Sequence, residues 1–241
     1  MALKSIIVIP TYNEKENIGE LIKEIIESNT NRDFHILVVD DNSTDGTAQI
    51  VDDFASRSER VRVIHRKEKK GLGTAYITGM KYGLENGYDL IFTMDGDLSH
   101  QPCYLEDFVT SAANHDLIIG SRYTNGISIV NWPLRRLFLS LAANKYVKTI
   151  TRMNLSDFTS GYRCWKRDML EKINLDAVMS EGYAFLVEMA YRAYKKGAKI
   201  GEVPIVFVER KHGKSKISNK VIFESAIIPW KLLIMNLFNR L

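Results

Sequence analysis

Leu90-Ile91-Phe92-Thr93-Met94-Asp95-Gly96-Asp97-Leu98 is a short apolar run that carries two carboxylates to its end, and a polar loop with a proline, Ser99-His100-Gln101-Pro102, follows it. In an open parallel sheet, ligands bind beyond the carboxyl ends of the strands, so carboxylates exposed there are placed for chemistry rather than for packing. Hard cations such as Mg²⁺ or Mn²⁺ take oxygen ligands from one or two carboxylates plus substrate phosphates. Asp95 and Asp97 are therefore candidate metal ligands, and Gly96 leaves the backbone open to close approach by a ligand. Taken alone, an acidic pair in a loop is more often a turn whose Asp side chains accept from nearby backbone N–H groups. The surrounding chain decides between the two.

Upstream, the same pattern recurs. Ser5-Ile6-Ile7-Val8-Ile9 is a continuous apolar run, as in a strand buried on both faces, and it ends at Pro10. Asn13, with Glu16 three residues later, predicts a helix cap, and Ile18, Leu21, Ile22, Ile25 and Ile26 follow at helical spacing. Phe34-His35-Ile36-Leu37-Val38-Val39 is a second strand ending in Asp40-Asp41, and Ser43 to Thr47 opens a helix carrying Ile50, Val51 and Phe54. Val61-Arg62-Val63-Ile64 predicts a third strand, and Gly71-Leu72-Gly73 starts a helix running to about Leu84. Alternating strands and helices imply an α/β fold with a mostly parallel central sheet flanked by helices, its first half a Rossmann-like nucleotide-binding unit. A hydride-transfer enzyme is disfavoured, because the first strand–helix turn, Pro10-Thr11-Tyr12-Asn13-Glu14, lacks the glycines that let a backbone approach a pyrophosphate.

Composition narrows the classes further. The 241 residues are 45% hydrophobic and 26% charged, enough for one sizeable core. Lys and Arg exceed Asp and Glu by only 33 to 29, so no nucleic-acid partner is expected. Cys103 and Cys164 fit neither a disulfide framework nor a zinc spacing; they read as packing residues in a reducing, cytoplasmic setting. Ile6 to Ile9 is too short for a secretory leader, and no segment has the roughly 18 uninterrupted apolar residues of a membrane span.

Ile-Pro-Thr-Tyr-Asn-Glu at 9–14, Val-Val-Asp-Asp-Asn-Ser-Thr-Asp at 38–45, Gly71-Leu72-Gly73 and Met94-Asp95-Gly96-Asp97, in this order, resemble the GT-A fold family 2 glycosyltransferases, and within them the polyprenyl-phosphate (dolichyl-phosphate) mannosyltransferases. The resemblance runs from about Ser5 to Lys216. It implies a catalytic domain over 1–216, with a nucleotide-sugar half at 1–100 and an acceptor half at 101–216. In that reading Pro10, Tyr12 and Glu14 hold base and ribose, either Asp40 or Asp41 reads the base, and Gly71, Gly73 and Gly96 belong to the donor site. Asp95 and Asp97 hold Mg²⁺ or Mn²⁺. Ser99 stands where some members carry a metal-binding Gln and is the third candidate ligand, with water as its substitute.

The second half of the chain implies the acceptor. Ser121-Arg122-Tyr123 follows the predicted strand 116–120, Trp132-Pro133 starts a helix on which Arg136 and Ser140 share a face, and Arg210 precedes a basic stretch ending in Lys216. The resemblance implies that these stretches gather around the acceptor's phosphate; arginine makes bidentate contacts to phosphate, so Arg122, Arg136 and Arg210, with Ser140 and Lys216, form a candidate phosphate cradle. Arg122 and Arg210, with Asp95 and Asp97, are the candidate catalytic set. Residues 156–163, with 181–185 and Glu188, resemble the family's sugar-side segment, and the resemblance implies that Asp157 and Glu188 bind sugar hydroxyls or position Arg163, with salt-bridge duty as the alternative. His100 and His212 flank the site without an assigned role.

The reaction implied is metal-dependent transfer of mannose, with inversion, from GDP-mannose to a polyprenyl or dolichyl phosphate lipid. A UDP-glucose donor and a non-catalytic nucleotide-sugar-binding subunit are the alternatives. Residues 217–241, rich in apolar side chains but broken by Glu224, Pro229, Lys231 and Arg240, predict an amphipathic helix. That helix, or the one over 132–150, is expected to meet lipid, putting the protein peripherally on the cytoplasmic face of a membrane, where a small membrane-protein partner is an expected recruiter.

Overall fold

A computed structural model describes residues 3–28, 32–209 and 219–238, the last segment with its side chains from 226 onward. The nucleotide-binding half runs β1 (Ser5–Thr11), α1 (Ile18–Ser28), β2 (Phe34–Asp40), α2 (Thr47–Arg57), β3 (Val61–His65), α3 (Leu72–Glu85) and β4 (Leu90–Thr93). The remainder runs α4 (Leu105–Ser111), β5 (Leu117–Ser121), β6 (Ile129–Val130), α5 (Leu134–Thr151), β7 (Arg163–Lys166), α6 (Arg167–Glu171), α7 (Gly182–Lys195), β8 (Ile200–Pro204), β9 (Phe207–Val208) and α8 (Asn219–Leu237).

Seven strands form one sheet in the order β3-β2-β1-β4-β7-β5-β8, and β6 pairs with β9 in a separate two-stranded ribbon. Every pairing in the large sheet is parallel except those of β7, which runs antiparallel between β4 and β5. The predicted mostly parallel α/β architecture is therefore present, with one reversed strand that periodicity did not reveal. Alternation along β1 explains the layering: Ile6 and Val8 belong to the core under one face, Ile7 and Ile9 to the core under the other. The chain steps outward from β1 to β2 and β3, then returns to place β4 on the other side of β1. The carboxyl ends of β1 and β4 flank this switch point, where open α/β sheets bind ligands.

Helix α3 lies close on the sheet. A Cβ at Gly79 would stand 2.1 Å from Val8 Cγ1, and one at Gly83 would stand 2.8 Å from Ile91 Cγ1. Only glycine permits that approach, and it draws the amino end of α3 up to the ends of β1 and β4. Helix α7 is buried at every residue from Ala184 to Ala193 and forms the floor of the second half.

Two expectations change here. Asn13 does not cap α1; it sits in the left-handed region at φ 55, where its side chain accepts from Thr44 N–H at 2.9 Å and its own N–H donates to Ser43 Oγ at 2.9 Å. Asn tolerates that conformation, so the residue ties the β1 and β2 loops together instead. Of the two cysteines, Cys164 is buried as a packing residue but Cys103 is exposed. No described helix is long and apolar enough to cross a membrane.

Candidate active site

Two adjoining cavities open at the carboxyl edge of the sheet. The first, about 310 Å³, lies over the ends of β1 and β4 and is lined by Pro10, Tyr12, Glu14, Asp41, Gly71, Asp95, Gly96 and Asp97 among others. Eight of the residues predicted for a nucleotide sugar thus come together from three loops and the start of α3. Gly71 begins that helix with φ 93, a backbone state that an L side chain rarely adopts.

Three other predicted donor-site residues do not line it. Asp40 turns back into its own loop, accepting from Thr11 Oγ1 at 3.0 Å, Ser43 Oγ at 2.6 Å and Ser43 N–H at 3.0 Å. Of the Asp40-Asp41 pair, Asp41 is the one that lines the cavity, with its Oδ1 2.7 Å from Arg66 Nη1. Burial raises the Asp41 carboxyl, while Arg66 and the backbone N–H groups of Gly71 and Lys70 pull the other way. Gly73 serves packing, since a Cβ there would come 3.0 Å from the Ser180 carbonyl and the Phe185 ring. Ser99 is 1% exposed, and both its hydroxyl (2.5 Å) and its N–H (3.2 Å) donate to Asp97 Oδ1. In this arrangement its proton donors are committed to Asp97, the candidate ligand two residues before it.

Asp95 is held from several sides. The Tyr76 hydroxyl on α3 donates to its Oδ1 at 2.7 Å, and its backbone N–H donates to His100 Nδ1 at 3.1 Å. His100 is buried against the Tyr162 ring, with centroids 5.1 Å apart, and burial lowers its pKa, so the ring stays neutral and accepts at Nδ1. The histidine left unassigned thus supports the loop that carries Asp95 and Asp97.

The second cavity, about 440 Å³, lies between α5, α7 and α8. Its wall is mostly apolar, with Leu139, Ala142, Ala143, Tyr146, Val147, Val187 and Ala226, and its polar end holds Arg122, Arg136 and Ser140. Arg122 forms a buried two-point pair with Asp157, Nε to Oδ2 at 2.6 Å and Nη2 to Oδ1 at 2.7 Å, and its Nη2 also donates to Thr159 Oγ1 at 2.6 Å. Burial alone would raise the Asp157 carboxyl and lower Arg122, yet the pair reverses both directions: Asp157 ends below the usual carboxylate value and Arg122 above its own. Arg136 pairs with Glu209 and lies 4.0 Å over the Trp132 ring. Ser140 Oγ accepts from the Tyr123 hydroxyl at 2.7 Å. Arg210 and Lys216, and His212 with them, lie outside the described residues.

Asp157 and Glu188 turn out to be salt-bridge residues. Glu188 accepts from Arg192 Nε at 2.8 Å and from Ser180 N–H at 3.0 Å, inside α7 and away from both cavities. Neither pairs with Arg163, whose guanidinium donates to the carbonyls of Ser160, Leu186 and Phe158 at 2.7 to 2.9 Å and is lowered by burial to about 10.

The two cavities share Thr159 and Tyr183. Both lie in the stretches whose resemblance implied the sugar side, 156–163 and 181–185, although neither was given a role, and Tyr76 and Lys69 were not singled out. Lys69 sits 3.8 Å over the Tyr12 ring at the rim of the first cavity. A signal for it did exist in the run Arg66-Lys67-Glu68-Lys69-Lys70 directly before Gly71. Tyr76 carries no local signal, since its contact with Asp95 arises only from how α3 packs on the sheet.

Residues 6–174 match the profile described as Glycosyl transferase family 2. An undecaprenyl-phosphate mannosyltransferase of Micrococcus luteus is 43% identical over 229 residues, covering 93% of this chain and 92% of the relative. A polyprenol monophosphomannose synthase of Mycolicibacterium smegmatis is 43% identical over 224 residues, covering 92% and 84%. Among solved structures, glucosyl-3-phosphoglycerate synthase of Mycobacterium tuberculosis, in complex with Mn²⁺, UDP and glucosyl-3-phosphoglycerate, superposes with a TM-score of 0.64 at 17% identity, over 99% of this chain and 80% of that one. A mannosyltransferase of Pyrobaculum calidifontis in complex with GDP-Man and Mn²⁺ superposes with a TM-score of 0.60 at 19% identity, over 98% and 74%. At those identities the two structures show a shared fold.

Proposed function

Because this chain belongs to glycosyl transferase family 2 and is a glycosyltransferase, we propose that it transfers mannose from GDP-mannose to a polyprenyl monophosphate, with inversion, releasing GDP. The observation that carries this reading is the junction of the cavities. Thr159 and Tyr183 line both, so a sugar seated between them would be reached from the carboxylate-bearing cavity on one side and from the apolar, arginine-ended cavity on the other. Nucleotide diphosphate and lipid phosphate call for that division. The names of the two 43%-identical relatives supply the sugar and the lipid class.

In the donor cavity, Pro10, Tyr12, Glu14 and Asp41 bind base and ribose. Asp95 and Asp97 suit a divalent cation of the Mg²⁺ or Mn²⁺ kind, which accepts one or two carboxylates and completes its shell with substrate phosphates and water. No cluster of three or more His, Cys, Asp or Glu stands among the described residues, so a cation needing an all-protein cage fits less well. When bound, the ion supplies positive charge against the departing diphosphate. The acceptor needs no general base: the second pKa of a phosphate monoester is about 6, so it arrives as a nucleophile already mostly dianionic. Consistent with that, the described lining of the apolar cavity contains no Asp, Glu or His. Arg122, Arg136 and Ser140 orient the phosphate for in-line attack on the anomeric carbon, and Arg210 and Lys216 complete the cradle in this reading.

The same reading makes the protein peripheral on the cytoplasmic face of a membrane, with the apolar cavity facing lipid. Leu134 and Phe138 on α5, and Trp230, Ile234, Leu237 and Phe238 on α8, are all more than half exposed at 54–77%. Transfer of radiolabelled mannose from GDP-mannose to a short polyprenyl phosphate in detergent, with and without chelator and beside UDP-glucose, tests the proposal. Chelator-sensitive label in the lipid phase from GDP-mannose alone is the expected result. Label from UDP-glucose alone replaces the donor, and an α-linked product overturns single displacement.

A further inference from the structure

Tyr76 has no part in the mechanism above, yet it is the most elaborately placed polar side chain around the donor cavity. It is 0% exposed, its ring stacks on Phe185 with centroids 6.0 Å apart, and its hydroxyl donates to Asp95 Oδ1 at 2.7 Å. Gly161 faces the same oxygen from the opposite loop, where a Cβ would come within 3.1 Å of Asp95 Oδ1, so glycine keeps that side clear of a side chain, and its carbonyl accepts from Thr93 Oγ1 at 2.7 Å. Helix α3 therefore holds one oxygen of a carboxylate whose residue faces the cavity. Asp97 is treated alike, its Oδ1 taking both the hydroxyl and the N–H of Ser99.

A carboxylate with one oxygen held by a buried donor gives up that hydrogen bond if it turns to chelate a cation with both oxygens. Ca²⁺ takes six to eight oxygens at flexible angles and favours two-oxygen carboxylate ligands, whereas Mg²⁺ demands a near-ideal octahedron at shorter distances and is content with single oxygens. We propose that Tyr76 is the positioning residue that makes Asp95 a one-oxygen ligand, and that this clamp sets the preference of the site for small octahedral divalent cations over Ca²⁺. The inference rests on Asp95 and Asp97 being the metal carboxylates of the donor site.

The test is cation binding, not turnover. Mn²⁺ binding to the whole protein in the presence of GDP is followed by the loss of its free electron paramagnetic resonance signal, with Ca²⁺ as competitor, for wild type and Tyr76→Phe. The variant keeps the ring against Phe185, and its thermal midpoint and metal-free GDP affinity report whether fold and cavity persist. Supporting ligands of this kind are worth about 10–100-fold in metal affinity, so Mn²⁺ binding should weaken at least tenfold while Ca²⁺ binding holds or improves, narrowing the discrimination by about the same factor. Unchanged discrimination, or an equal loss for both ions, overturns the clamp and leaves the site reading standing. Absence of GDP-dependent Mn²⁺ binding in the wild type overturns the site reading and the clamp with it.

Discussion

The two cavities meet at Thr159 and Tyr183, but they are made differently. The donor cavity is assembled from the loops that follow β1, β2 and β4, each a few residues past a buried strand, and its carboxylates sit where the sheet delivers them. The acceptor cavity is assembled from the flanks of α5, α7 and α8 and the loop before β7, and each arginine described at its polar end already holds a carboxylate: Asp157 on Arg122, Glu209 on Arg136. A guanidinium beside apolar walls has lost much of its hydration, and a fixed counter-ion restores part of what was lost. One side is thus an edge of the sheet with charge exposed to ligand, and the other an apolar pocket whose charge is neutralised before the ligand arrives.

Breaking that neutralisation gives the largest effect. Asp157→Asn leaves Arg122 buried without its counter-ion, and removal of one partner of a buried pair costs about 3–5 kcal/mol, measurable as a lower urea midpoint at neutral pH. The acid limb changes as well. The folded Asp157 carboxyl is held below its unfolded value of 3.8, so its stabilisation is fully present above that pH and is lost as pH falls through the depressed folded value. Wild type therefore sheds this contribution below about pH 4, whereas the variant, lacking it, shows a shallower loss there. A variant as stable as wild type would mean that the acceptor side does not depend on its internal ion pair.

A smaller effect separates the cavities functionally. Arg136→Gln removes a charged hydrogen-bonding partner worth about 1.5–3 kcal/mol, and should raise KM for polyprenyl phosphate roughly tenfold or more while leaving KM for GDP-mannose in place. Asp41→Asn should do the reverse. If the two variants affected the same substrate, the division into donor and acceptor cavities would fail.

The contrast also explains what could be read from the chain. Asp41, Asp95 and Asp97 could be placed at the sheet edge because a strand buried on both faces announces itself as an apolar run, and these carboxylates follow the strand ends within four positions. Asp40 was legible only as half of an alternative, since the strand register that turns it toward Thr11 and Ser43 cannot be read from adjacency. Strand β7 escaped because its four residues, Arg163-Cys164-Trp165-Lys166, show neither a continuous apolar run nor a clear alternation, and because their reversed direction is set by where the 152–162 loop returns. Arg122 and Arg136 could be nominated from their residue type, but their partners stand 35 and 73 positions away and belong to the tertiary fold. The acceptor cavity itself has no sequence signal of its own, because its walls are the sides of helices whose outer faces read as equally apolar.

Those outer faces carry the smallest effect, and the one that bears on where the enzyme works. Helix α5 buries Asn144, Val147 and Thr151 while exposing Leu134 and Phe138. Helix α8 buries Ile228 and Leu232 while exposing Ile227, Trp230, Ile234 and Leu237. The helices are joined through Tyr146, which donates to the Ala226 carbonyl at 2.6 Å and accepts from Trp230 Nε1 at 3.0 Å, so both exposed stripes flank the cavity. Exposed Arg135, Lys145, Lys148 and Lys231 on the same helices add attraction for an anionic surface. Phe138 and Ile234 are 67% and 57% exposed, so Phe138→Gln and Ile234→Gln should leave stability within about 0.5 kcal/mol. Each removes apolar area available to a bilayer, and partial insertion of one such side chain is worth roughly 1 kcal/mol, or about fivefold in vesicle affinity. Co-sedimentation with vesicles containing anionic lipid measures it, and turnover of a short, detergent-soluble acceptor serves as the internal control. Lost sedimentation with retained turnover assigns these stripes to the membrane. Lost turnover with retained sedimentation would assign them to the acceptor cavity, and the boundary between the lipid-facing surface and the binding pocket would have to be drawn further out along α5 and α8.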